Sequence, residues 1–138
     1  MATWLMKSEP GSWSWDDQMR VGVEPWNGVR NHQAAANMKA MRLGDQVFFY
    51  HSVNEKRIVG IVEVVREYYP DPTDPTGRFG MVDVKALHPL PRPVTLADIK
   101  ADPRLQHLAL IRQSRLSVMP IDDEAWTLLC ERGGMSER

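Results

Sequence analysis

GDQVFFYHSVNEKRIVGIVEVVRE, residues 44 to 67, decides the fold class. Residues 46–52 and 57–67 are aromatic and β-branched, the composition of buried strand, and VNEK between them has the length of a short polar hairpin connection. Two long antiparallel strands are therefore expected at the centre of the molecule. Gly60 interrupts the second run, which predicts a bulge or the close approach of another group to the backbone.

On the N-terminal side, TWLMKS (3–8) reads as a first strand. Ser14 with Asp17 three residues later forms a capping-box pattern for a helix that Gly22 stops. A second helix is expected from Asn31 along the alanine-rich run and is expected to close at Gly44. Ala34, Met38 and Met41 mark its buried stripe, while Gln33 and Asn37, four apart, share another face. On the C-terminal side, PDPTDPTGR (70–78) is a proline-rich exposed loop and FGMVDVKALHPL (79–90) a further strand. Thr95 with Asp98 caps a short helix stapled by Val94 and Ile99, RLSVMPI (115–121) is a last strand, and Asp122 caps a terminal helix. Strands clustered in the middle with helices around them indicate a small α+β fold on a bent antiparallel sheet or partly open barrel. Periodicity leaves the strand order open.

At 138 residues the chain fits one domain, residues 1–138, and its 43% hydrophobic and 25% charged residues are those of a folded soluble protein. No apolar run approaches the roughly 20 residues of a membrane span, and the N-terminus enters a strand without a leader-like segment, so a cytoplasmic location is expected. The single cysteine, Cys130, rules out an intrachain disulfide and reads as an inert, partly buried thiol. Histidines 32, 51, 88 and 107 lack ligand spacing, so neither metal nor cofactor is expected. A net charge of -1 argues against non-specific coating of nucleic acid. Two windows nevertheless carry no acid: 25–44 with Arg30, Lys39 and Arg42, and 103–121 with Arg104, Arg112 and Arg115. If they meet in the fold, they can receive a few phosphates.

Trp26, Asn27, Gly28, Val29, Arg30 and Asn31 gather an aromatic plane, a flexible glycine, a cation and an amide before the second helix, the equipment for a flat polar ligand. Trp26 either stacks on that ligand, worth about 1–3 kcal/mol per base, or plugs the end of the barrel. Trp4 and Trp126 read as core, and Trp13 and Trp15 fit either role. Lys7, Ser8 and Glu9 end one strand; Tyr50, His51 and Ser52 end another. Each set is either a solvated strand end or part of a cleft. If the ends are neighbours, they ring one pocket with groups that can read the donor and acceptor edge of a base. Lys7, Glu9 and His51 also compose an acid/base set. No GxSxG, Cys–His pair, phosphate loop or deaminase zinc signature accompanies them, so binding is the more economical expectation.

Together, WLMKSEP (4–10), WNGVRNHQAAANM (26–38), GDQVFFYHS (44–52), GIVEVVRE (60–67) and RLSVMPI (115–121) resemble the EVE domain family, collinearly and over nearly the whole chain. The resemblance implies a PUA-like fold, a bent antiparallel pseudo-barrel with flanking helices, related to the PUA, ASCH and YTH modules that handle RNA or modified bases. It implies a non-enzymatic reader whose partner is DNA or RNA carrying a modified base, above all 5-methylcytosine or 5-hydroxymethylcytosine in DNA, taken flipped or unpaired into the pocket. Extruding a base costs a few kcal/mol, which the pocket must offset. In that reading Trp26 is the stacking wall, and Lys7, Ser8 and Glu9 touch the ligand edge or support the pocket. Asn31, Gln33 and Asn37 supply amides, with helix capping as the other role for Asn31. Tyr50, His51 and Ser52 complete the opposite rim, and Arg30, Arg115 and Ser117 meet phosphate or backbone. The sequence departs from many relatives at His32, where they carry tyrosine. The alternatives are a small hydrolase acting on a modified nucleoside, since ASCH modules make catalysis feasible on this scaffold, and a protein-interaction module with a vestigial pocket.

Overall fold

The computed structural model describes residues 2–135. The chain runs β1 (Thr3–Ser8), α1 (Trp15–Val21), β2 (Val23–Pro25), α2 (His32–Ala40), β3 (Gln46–His51), β4 (Arg57–Pro70) and β5 (Gly80–Thr95). It continues through α3 (Leu96–Ala101), a 3-10 turn (Pro103–Leu105), α4 (Ala109–Arg112), β6 (Val118–Ile121) and α5 (Asp123–Arg132). The strands form one six-stranded sheet in the order β2-β5-β4-β3-β1-β6.

The central hairpin is β3 and β4, paired antiparallel from Gln46↔Glu63 to His51↔Arg57, with a register shift at Phe49/Tyr50. β4 and β5 pair along their length with four further shifts, which bend the sheet toward a barrel. Gly60 lies at one of them, under the Trp15 indole, where a Cβ would stand 2.5 Å from the ring. Both expectations for that glycine are met.

The sheet is antiparallel except at one pair. β1 and β3 run parallel, with Lys7 opposite Tyr50 and Ser8 opposite His51. The intervening α1, β2 and α2 provide the crossover that parallel neighbours require. As a result both strands finish at the same end of the sheet.

Local chemistry accounts for the helix limits. Ser14 Oγ accepts from the Asp17 N–H while the Asp17 carboxylate accepts from the Ser14 N–H, completing the capping box of α1. Asn31 caps α2, its side-chain oxygen accepting from Ala34 N–H at 2.9 Å. That helix ends at Ala40 rather than Gly44, because Met41 turns extended and Asp45 takes the Arg42 N–H at 3.0 Å. Gly44, at φ 88°, serves the turn into β3. β6 begins at Val118 rather than 115, and β5 runs on to Thr95. β2, the 3-10 turn and α4 are short elements without a periodic sequence signal.

The core is built around Leu5, Met6, Phe48, Phe49, Ile58 and Ile61 from the sheet and Met38 and Met41 from the α2 side, all fully buried. Trp126 of α5 stacks on Phe48 with centroids 3.9 Å apart, and the Trp4 Nε1–H donates to Asp45 at 3.0 Å. Both tryptophans are structural. Cys130 is fully buried in α5. Among the described residues no helix is long and apolar enough to cross a membrane, and among them no group of three His, Cys, Asp or Glu is placed to hold a metal.

Candidate functional site

A cleft of about 960 Å³ opens where β1 and β3 end. It is at the upper end of the roughly 300–1,000 Å³ typical of small-molecule sites. The end of β1 supplies Lys7, Ser8 and Glu9; the end of β3 and its turn supply Tyr50, Ser52, Val53 and Lys56. The segment after α1 adds Glu24 to Arg30 and the turn before α1 adds Ser12 and Trp13. Leu96 and Lys100 of α3, Leu110 of α4, and Ser114, Arg115 and Ser117 before β6 complete the wall. Parallel pairing explains this gathering, since antiparallel strands would have sent the two ends to opposite edges.

Several of these side chains are held by neighbours within the protein. Lys7 Nζ donates to the Ser114 carbonyl at 2.9 Å and stands 5.8 Å from the Tyr50 ring centroid. Burial pushes its ammonium below the ordinary lysine value. The Tyr50 residue is only 2% exposed, and burial pushes its phenol up to about 12, so it stays a protonated donor at neutral pH. Ser8 directs its hydroxyl proton to the Trp13 carbonyl, leaving its oxygen lone pairs as acceptors. Glu24 is raised by burial and then by the nearby Asp83 carboxylate. Arg115 is exposed, and Ser117 contributes its carbonyl to the Lys7 N–H at 2.9 Å.

Trp26 follows β2 and donates its backbone N–H to the Val82 carbonyl. The residue is 8% exposed, and its indole packs edge-on to Phe49 at 5.5 Å while still lining the cleft. Of the two roles expected as alternatives, the packing against Phe49 is that of a plug, and the ring edge that remains borders the cleft. Trp13 is the more exposed indole of the cleft, and its Nε1–H is tied to Gln18 at 2.9 Å.

Arg30 lines the cleft but is engaged. Its guanidinium pairs with Asp71 at 3.1 Å and donates to Thr73 at 2.9 Å. Asp71 also accepts from the Gly28 N–H at 2.8 Å. The proline-rich loop therefore braces the tryptophan segment, and its Asp71 and Asp74 are buried although the loop was expected to be exposed throughout.

Four expected site residues lie outside the cleft. His51 is buried: its Nε2 accepts from the Trp15 N–H at 2.9 Å, so its Nδ1 carries the proton that Glu55 receives at 2.7 Å. Asn31 is engaged as the cap of α2, and Asn37 Nδ2 donates to the Val118 carbonyl at 2.7 Å. Gln33 is exposed on α2, and neighbouring His32 lies against Phe79 at 4.9 Å. Ser12, Glu24, Lys56, Lys100 and Ser114 are the polar groups that sequence reading missed. The four-residue spacing of Leu96 and Lys100, one helix face, was the available signal.

Sheet order, bend and cleft define a PUA-like α+β module. The chain belongs to the EVE domain family, whose model matches residues 2–132. It is 34% identical to thymocyte nuclear protein 1 of Homo sapiens over 160 aligned positions, covering 88% of this chain and 69% of that protein. The chain thus spans about two thirds of the length of these curated relatives. A protein structure from Rhodopseudomonas palustris is 56% identical with a TM-score of 0.94, covering 100% of this chain and 97% of that one. The human protein in complex with 5-methylcytosine-containing DNA is 30% identical, with a TM-score of 0.92 and coverage of 100% and 99%. An ASCH protein from Zymomonas mobilis, 10% identical with a TM-score of 0.56, shares the fold alone.

Proposed function

We propose that the protein is a non-enzymatic reader of modified nucleobases, taking a modified cytosine of DNA, flipped or unpaired, into the cleft between β1 and β3. The observation that carries this reading is the cleft's chemistry. The indoles of Trp13 and Trp26 stand beside donors at Lys7 and Tyr50 and acceptors at Ser8, Glu9 and Glu24. A cytosine edge presents an amino donor and ring acceptors, the complement of that set. The human relative's complex with 5-methylcytosine-containing DNA supports the ligand class. A modified base in RNA would use the same groups.

The position of His51 favours binding over hydrolysis. With both ring nitrogens engaged away from the cleft, it leaves Lys7 and Glu9 without the imidazole of the expected acid/base set. A 5-methyl group offers only apolar burial, on the order of 1 kcal/mol or about fivefold in affinity, whereas a hydroxymethyl group adds a hydrogen bond that can be read more sharply.

The test is a titration of matched DNA and RNA oligonucleotides bearing cytosine, 5-methylcytosine or 5-hydroxymethylcytosine, followed by tryptophan emission at fixed salt, with product analysis of each mixture. Saturable preference for a modified member, with ligand recovered unchanged, supports the reader. Equal weak binding to all members removes base reading, and conversion of modified nucleoside, lost in Lys7→Ala or Glu9→Gln, replaces it with the hydrolase.

A further inference from the structure

The turn joining β3 to β4 holds two side chains in a backbone conformation that L-residues rarely adopt. Val53 has φ 71° and Lys56 has φ 51°. For a β-branched residue the left-handed region is an outlier, kept only where the surroundings over-determine it. Here they do. Ser52 N–H donates 2.9 Å to the Ser8 carbonyl before the turn, and Leu96 N–H donates 2.8 Å to the Lys56 carbonyl after it. Within the turn, Glu55 accepts from His51 at 2.7 Å and from Arg57 at 3.0 Å. The tip is clamped by β1, by the start of α3 and by its own stem.

What this tip carries outward is apolar. Val53 is 53% exposed on the cleft lining, with Lys56 on the same lining. Glycine or asparagine would satisfy the left-handed backbone without strain, so the turn geometry does not account for a valine. Lys56, Lys100 and Arg115 reach the cleft from three separate elements, and none forms an ion pair among the described residues.

We infer that Val53 is a wedge: when a paired modified base leaves a duplex for the cleft, the Val53 side chain enters the gap in the stack and Lys56 meets the adjoining phosphate. The inference rests on the base-reading function proposed above. Extrusion leaves two neighbours unstacked and a partner base alone, and an inserted apolar side chain offsets part of that loss. With the turn backbone clamped and a β-branched side chain stiff at χ1, Val53 has little freedom left to lose on insertion. An unpaired base leaves no gap, so the wedge acts on duplex ligands alone.

Val53→Gly and Val53→Asn both keep the left-handed turn and remove the apolar branch. Wild type and variants are titrated with one 5-methylcytosine oligonucleotide, single-stranded and duplex, with 2-aminopurine beside the modified base as the unstacking reporter. Both variants should lose about tenfold more affinity for the duplex than for the single strand, with a matching fall in 2-aminopurine signal. Unchanged duplex affinity, or equal loss on both forms, overturns the wedge and leaves base reading standing. A wild type with no preference for the modified base in either form overturns the reading and the wedge with it.

Discussion

The indole of Trp15 lies on the Cα of Gly60, close enough that a single methyl group on that glycine would stand 2.5 Å from the ring. Trp15 cannot move aside freely, because it is buried and packed edge-on against Phe49 at 5.3 Å. Gly60→Ala should therefore destabilise the protein by about 1–3 kcal/mol, the usual cost of overpacking. Urea denaturation measures this directly, and a change below about 0.5 kcal/mol would show that the contact yields.

Trp26 serves core and cleft together, so its two contributions separate only with graded substitutions. Trp26→Ala should lose about 3–5 kcal/mol of stability, in the range for a buried aromatic. Trp26→Phe should retain most of the packing against Phe49 while weakening nucleobase binding by about tenfold, within the 1–3 kcal/mol of base stacking. Thermal melts paired with oligonucleotide titration read both effects. Full affinity in Trp26→Ala, measured below its melting transition, would assign the stacking role to Trp13.

Asn31 distinguishes capping from ligand contact. Since its side-chain oxygen is engaged by the Ala34 N–H, Asn31→Ala should cost about 1 kcal/mol of stability through loss of the cap. Affinity measured below the melting transition should be unchanged. A selective loss of affinity would return Asn31 to the site.

Acid should unfold the protein through a small group of carboxylates. Burial would raise Asp71, but hydrogen bonds from Thr73, the Gly28 N–H and Arg30 outweigh it and hold the carboxyl at about 2. Asp74 is likewise held at about 2, first by the Thr76 hydroxyl, and Asp102 at about 2, first by Arg104. Each folded value lies below the unfolded one, so the folded state is stabilised while these groups are ionised. Their contribution is complete above about pH 4 and disappears as the pH falls toward about 2. Denaturation midpoints stepped through that window should fall, and Asp71→Asn should flatten part of the drop. A midpoint constant down to about pH 2 would contradict the assignment.

What could be read in advance was what short-range rules control. Ser14, Thr95 and Asp122 cap helices as expected, and Asn31 takes the capping one of its two expected roles, because capping is settled within one turn of chain. Gly60 and the hairpin around residues 53–56 were likewise local. The parallel β1–β3 pairing was not legible, since strand order depends on contacts between distant segments. The site divided along the same line. Lys7, Ser8, Glu9, Tyr50 and Ser52 came together because two strand ends did, whereas His51 was drawn out of the set by the Trp15 backbone and Glu55, partners that its own neighbourhood in sequence did not reveal as such. Glu24 and Lys100 reach the cleft through β2 and α3, whose placement only the tertiary structure supplies.

The bond from Lys7 to the Ser114 carbonyl closes the cleft between positions 107 residues apart. A chain leaving the ribosome therefore has no complete cleft until the segment before β6 has emerged and returned to β1. Contacts of such separation are slow to form and arrive with the global fold. A nucleobase bound as proposed would then report completed topology and bias the whole chain toward the native state by mass action.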